Sequence, residues 1–133
     1  MAVAGWLLDK RAAARAAEPA TRRHLEELAG LLYLCPVGEL EQLHSARSAG
    51  EYDALSAGLH ESFEVVAPPA GVFDRAGSLQ RDLARHHGMW HRTPIADLFI
   101  AETALHHGLG VVHVDRGYER RAEVRPLSIR RLQ

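Results

Sequence analysis

The sequence predicts one three-layer α/β/α domain with a mainly parallel central sheet. Three observations carry that prediction. Short apolar runs alternate with segments of helical periodicity along the whole chain. Strands separated by helices pair in parallel through right-handed crossovers, which places helices on both faces of the sheet. The length of 133 residues suits a single domain, 1–133, with its own core.

The elements follow in order. Gly5–Leu8 reads as a first strand, and the alanine-rich stretch from Lys10 to Ala17 as a helix. Pro19 suits the first turn of an amphipathic helix carrying Leu25 and Leu28 and closed by Gly30. Leu31–Cys35 is a second strand. Pro36 opens a helix running to Gly50, with Val37, Leu40, Leu43 and Arg47 on one face, and Glu51–Glu61 forms the next. Phe63–Val66 is a short strand. Pro68 and Pro69 break the chain before a long helix from Gly71 to His87. After the loop 88–93, Pro94 starts a helix with Leu98, Ala101 and Leu105, and Gly108 ends it. Val111–Val114 and a weaker Leu127–Ile129 are the last strands.

The bulk numbers exclude several classes. A net charge of −1 provides no global basic field for nucleic acid, so any such binding uses a local patch. Lys10 is the only lysine, and the other cations are arginines, which suit phosphate and carboxylate partners. Cys35 alone cannot build a disulfide framework, which fits a reducing cytoplasm. It reads as a small buried residue rather than a nucleophile. The apolar amino terminus is too short for a signal peptide, and no apolar run approaches the ~20 residues needed to cross a bilayer. A cytoplasmic protein without membrane attachment is expected.

Acidic residues mark the candidate chemistry. Asp9 follows Trp6-Leu7-Leu8, and Asp115 follows Val111-Val112-His113-Val114. Glu39 and Asp97 sit near the starts of the helices opened by Pro36 and Pro94. In an open α/β sheet, ligands bind beyond the carboxyl ends of the strands, where acids from distant segments can meet. Such a cluster requires compensating positive charge, and an all-oxygen set suits a hard divalent cation. Each acid also has an ordinary structural role open to it. Asp9 suits a helix N-cap, Asp115 an Asx turn before Gly117, and Asp97 and Glu39 the favourable first turns of helices.

Four segments carry a family resemblance: Trp6-Leu7-Leu8-Asp9, Cys35-Pro36-Val37-Gly38-Glu39-Leu40, Pro94-Ile95-Ala96-Asp97-Leu98-Phe99-Ile100-Ala101, and Val112-His113-Val114-Asp115-Arg116-Gly117-Tyr118-Glu119. They resemble the acidic motifs of PIN-domain nucleases, and their order and spacing are most similar to VapC-type toxins of bacterial toxin–antitoxin modules. The resemblance spans residue 5 to about 130. It implies a PIN-like fold and a magnesium-dependent endoribonuclease, with manganese able to substitute. Asp9, Glu39, Asp97 and Asp115 would be its metal-binding catalytic carboxylates. It further implies a homodimer, a cognate VapB-type antitoxin, and an RNA substrate such as a tRNA, rRNA or mRNA loop. Helical geometry alone leaves Glu39 and Glu41 equivalent, about 100° either side of a face centred on Leu40. The family pattern favours Glu39.

The chain departs from the family where Lys10 and Arg11 replace a small hydroxyl residue after the first aspartate. His113 likewise stands where serine or threonine is frequent. Two alternatives therefore accompany the toxin reading: a catalytically weakened PIN-fold module that binds RNA or protein, and a PIN nuclease that processes RNA outside any toxin system. Lys10, Arg11, Arg116 and Arg120 are candidate contacts to RNA phosphates or an antitoxin. Glu102, four residues after Leu98, is a candidate additional acid. The nine histidines form no pairing with cysteine that suggests zinc, and no glycine-rich phosphate loop is present.

Overall fold

A computed structural model describes residues 3–15, 19–27, 31–86, 90–114 and 117–131. The elements are β1 (Trp6–Leu8), α1 (Lys10–Ala14), α2 (Pro19–Glu27), β2 (Leu32–Leu34), α3 (Pro36–His44), α4 (Ala49–Ser62), β3 (Glu64–Val65), α5 (Val72–Arg85), α6 (Ile95–His107), β4 (Gly110–His113), α7 (Gly117–Val124) and β5 (Ile129–Arg131). The five strands are all parallel, in the order β3-β2-β1-β4-β5. The expected three-layer architecture is present, with β1 and β4 at its centre.

Successive strand residues point to opposite faces, and the two cores divide accordingly. Leu7 and Val111 join Leu79, Leu83, Ile100 and Tyr118 on one face. Leu8 and Val112 join Leu25, Leu34, Leu43 and Leu59 on the other. The pairing Trp6↔Gly110 holds the central strands in register. A side chain at Gly110 would stand 2.5 Å from the Trp6 ring, so only glycine lets that ring lie across β4.

Several boundaries differ from the sequence expectation. The helix expected from Pro36 to Gly50 ends at His44, and the helix expected from Glu51 begins at Ala49. Ser48 caps α4 by accepting a hydrogen bond from the Glu51 amide at 3.0 Å, a Ser-x-x-Glu start signal that places Gly50 in the first turn of α4. Leu40 does not centre a buried face of α3: it is 64% exposed, and the buried residues are Gly38 and Leu43. The helix α7 was not expected, because its arginines masked the stripe made by Tyr118, Arg121, Ala122 and Arg125. The last strand, Ile129–Arg131, is shifted two residues along from the expected Leu127–Ile129 and shares Ile129 with it. The expected ends at Ala17, Leu28, Gly30 and His87 lie outside the described residues. Among the described residues no helix is long and apolar enough to cross a membrane.

Candidate metal centre

The site is built where β1 and β4 end. Asp9 follows β1 directly, and its Oδ1 accepts the Ala12 amide at 2.8 Å, capping α1. The same residue donates its own amide to the Val112 carbonyl of β4 at 3.1 Å, which fixes the acid at the junction of the two central strands. Asp9 is buried. Asp97 is also buried, in the first turn of α6, where its amide bonds the Pro94 carbonyl and the helix dipole favours its charge.

The helix α3 turns two glutamates to different neighbours. Buried Gly38 packs near the Leu8 carbonyl at the end of β1. Gln42 Nε2 donates to the Lys10 carbonyl at 2.7 Å. This side of α3 therefore faces the strand ends, and Glu41, one turn after Gly38, belongs to it. Burial raises the Glu41 carboxyl above its usual 4.5, the nearby charge of Asp97 raises it further, and Lys10 acts in the opposite direction. Glu41 Oε1 is buried and has no hydrogen-bond partner. Glu39 instead lies against α4, with Oε1 2.6 Å from His60 Nε2. The two glutamates still flank Leu40, but the side of α3 centred on Leu40 faces solvent, so they meet different neighbours.

Beneath the acids lies α7. Tyr118 is fully buried, and its hydroxyl is raised well above 10 by burial first and then by the charges of Asp97 and Asp9, with Arg121 opposing. Its hydroxyl has no hydrogen-bond partner. Arg121 is only 1% exposed. Its guanidinium lies 4.0 Å over the Tyr118 ring, and it donates to Thr93 Oγ1 and, at 3.3 Å, to Asp97 Oδ2. Sequence reading weighed Glu41 only as the alternative to Glu39, and it did not place Thr93, Tyr118 or Arg121 beside the acids. The available signal was the spacing of Tyr118, Arg121, Ala122 and Arg125, one face of a helix.

The remaining candidates divide. Asp115 and Arg116 lie outside the described residues. Lys10 stands in the first turn of α1 within electrostatic reach of Glu41, while Arg11 is exposed. Arg120 is exposed and places its guanidinium 5.1 Å from the Trp90 ring centre. Glu102 is buried and lies 3.6 Å from Arg125 Nε. Burial raises its carboxyl, while Arg125 and Arg75 oppose the rise. It ties α6 to the end of α7 rather than facing Glu41. Cys35 is buried and its thiol is raised by that burial, so it remains a core residue.

Among the described residues no three His, Cys, Asp or Glu side chains form a metal site by themselves. Magnesium does not require one, because it keeps several waters and takes one or two direct carboxylates. An unbonded, buried Glu41 oxygen beside the charge of Asp97 has the chemistry of such a ligand. The residues present fit a hard divalent ion.

Residues 3–124 match the PIN domain model. The chain belongs to the PIN-domain family. Within it, this VapC-type chain is 53% identical to Ribonuclease VapC17 of Mycobacterium tuberculosis over 121 residues, covering 91% of this chain and 90% of that protein. It is 40% identical to Ribonuclease VapC21 of the same organism, covering 90% and 87% respectively. The fold matches the DNA-bound VapBC structure from Salmonella typhimurium with a TM-score of 0.78 at 19% identity, covering 96% of this VapC-type chain and 97% of the other. It matches VapBC-5 of Mycobacterium tuberculosis with a TM-score of 0.70 at 17% identity, covering 97% and 99%. At those identities the structural likeness speaks to the fold.

Proposed function

We propose that this chain is a magnesium-dependent endoribonuclease acting as the toxin of a toxin–antitoxin module. The observation that carries the reading is the buried, unbonded Glu41 oxygen set beside the charge of Asp97 at the carboxyl ends of β1 and β4, where Asp9 also stands. In this reading Asp9, Glu41 and Asp97 hold the ion together with Asp115, and Glu41 takes the role that the family pattern assigned to Glu39. A bound divalent ion supplies charge neutralisation for the scissile phosphate and an acidified water as nucleophile.

The chain's own residues orient that chemistry. Asp9 is fixed by its cap on α1 and by its bond to β4, so it presents one carboxylate with little freedom. Arg121 and the first turn of α6 fix Asp97. Lys10 and Arg11 border the acids from α1 and are suited to RNA phosphates. Cys35, the only thiol of the chain, is buried in the core and plays no part in this mechanism.

The partners in this reading are an RNA, a VapB-type antitoxin and a second copy of the chain. Relatedness to proteins named VapC supports the first two. Self-association is supported by exposed apolar side chains beside α6: Phe73 is 78% exposed and meets Phe99 edge-on at 4.9 Å, one turn from exposed Ile95. The deciding experiment is cleavage of total RNA by purified protein across a magnesium and manganese titration, beside Asp97→Asn. Cleavage that requires metal and disappears in the variant supports the reading. Equal cleavage by both proteins would expose a contaminant, and silence in both would favour a binding module.

A further inference from the structure

The acids at the strand ends are accompanied by a fully buried cation held on several sides. Arg121 is secured by the face of Tyr118, by Thr93 before α6, and by Asp97 Oδ2. Its Nε has no hydrogen-bond partner, so it is retained for its charge and its two forked contacts rather than for a saturated network. A buried guanidinium cannot lose its proton, so the positive charge is permanent.

We propose that Arg121 is the resident counter-ion of the acidic site, a positioning residue that balances the acids before metal arrives and sets the affinity for the divalent ion by opposing it. This rests on the metal-centre reading above. Asp97, Glu41 and Asp9 carry like charges in a poorly hydrated place, and such groups cannot all remain ionised without compensation. Arg121 supplies that compensation from below, through Asp97. An incoming divalent cation then meets a site already partly neutralised. The guanidinium acts on the ion through the whole electrostatic field, whereas its directional role concerns one carboxylate oxygen. Removing the charge therefore tightens metal binding even though it loosens Asp97.

The geometry also separates this role from ordinary packing. A structural tie between α6 and α7 exists independently at Glu102 and Arg125. Arg121 is thus not needed merely to attach α7, and its effect on metal binding is separable from its effect on stability.

The test is Mn2+ binding by calorimetry, with melting temperature measured in chelator and in saturating Mn2+, for wild type, Arg121→Met and Arg121→Lys. The expected result is a dissociation constant about tenfold lower in Arg121→Met. Melting of that variant should fall in chelator, and its gain on adding Mn2+ should exceed that of wild type. Arg121→Lys keeps the charge and should retain the wild-type affinity. An unchanged or weaker affinity in Arg121→Met overturns the proposal and leaves Arg121 a packing residue. If Arg121→Met does not fold, chelator-state melting of two other variants decides. Asp97→Asn should lower it by depriving Arg121 of its partner, while Glu41→Gln should raise it by relieving the repulsion between Glu41 and Asp97. A rise in Asp97→Asn overturns the proposal. Absence of Mn2+ binding in wild type overturns the metal-centre reading itself, an outcome distinct from a wild type that binds and an Arg121→Met that binds equally.

Discussion

Glu39 and Glu41 stand two residues apart on α3 and serve different neighbours: Glu39 Oε1 meets His60 of α4 at 2.6 Å, while half-buried Glu41 lies within the field of Asp97. The rotation of about 200° between positions i and i+2 of a helix separates them. Glu41→Gln is therefore expected to reduce metal-dependent RNA cleavage by about 10²-fold or more, whereas Glu39→Gln stays within about threefold of wild type. Parallel rate measurements at saturating Mg2+ decide between them. Equal losses would place both acids in the site.

The raised carboxyl of Glu41 also predicts a pH effect in metal-free protein. Its folded pKa lies above 4.5, so the folded state holds that proton more tightly than the unfolded state does. Stability from this group is present at low pH and is lost as pH rises from the unfolded value, roughly 4.3, through the raised folded value. Glu41→Gln should match wild type near the bottom of that window and melt a few degrees higher at neutral pH in chelator. The gain stays modest because Glu41 is only half-buried.

Glu102 and Arg125 predict an asymmetry. Arg125 also donates to Asp82 at 2.7 Å, so its removal strands a buried carboxylate and an exposed one together. Arg125→Met should cost about 2 kcal/mol, below the ~3–5 kcal/mol of a fully enclosed pair because Arg125 reaches solvent. Glu102→Gln, which leaves no buried charge, should cost less. Both should retain wild-type Mn2+ affinity. Chemical denaturation and calorimetry check the two halves, and a lost affinity in Glu102→Gln would return it to the metal site.

Two glycines should respond oppositely to alanine. Gly110→Ala drives a methyl group into the Trp6 ring and should destabilise by about 1–3 kcal/mol. Gly77 lies on the exposed side of α5, and no neighbouring atom stands within 4 Å of the place an alanine methyl would take. Alanine there should stabilise by about 0.5–1 kcal/mol. Melting curves of both variants suffice.

The layer architecture was legible because its signals are local: apolar runs, a proline opening α3, and a left-handed glycine, Gly108, ending α6. Asp9 and Asp97 were legible for the same reason, each standing at a junction marked by its neighbours. Which α3 glutamate turns toward Asp97 was not, because that depends on which side of α3 meets the sheet, and exposed Leu40 marks the solvent side. Arg121 was hidden by its type. An arginine in a charged stretch reads as a solvated side chain, and only the tertiary placement of α7 under Asp97 converts it into a buried one.

The strand order has a consequence for biosynthesis. Trp6 must find Gly110, and Asp9 is anchored to Val112, so the two central strands join segments far apart in the sequence. Closing so long a segment is entropically costly and depends on nearly all of the intervening helices being available. A ribosome adds roughly 5–20 residues per second, so β4 emerges long after its partner β1. A half-made polypeptide thus has Asp9 but no place to put it. Under the proposed toxin reading, this topology keeps the acids apart until β4 has been made, leaving time for a protective partner to be present.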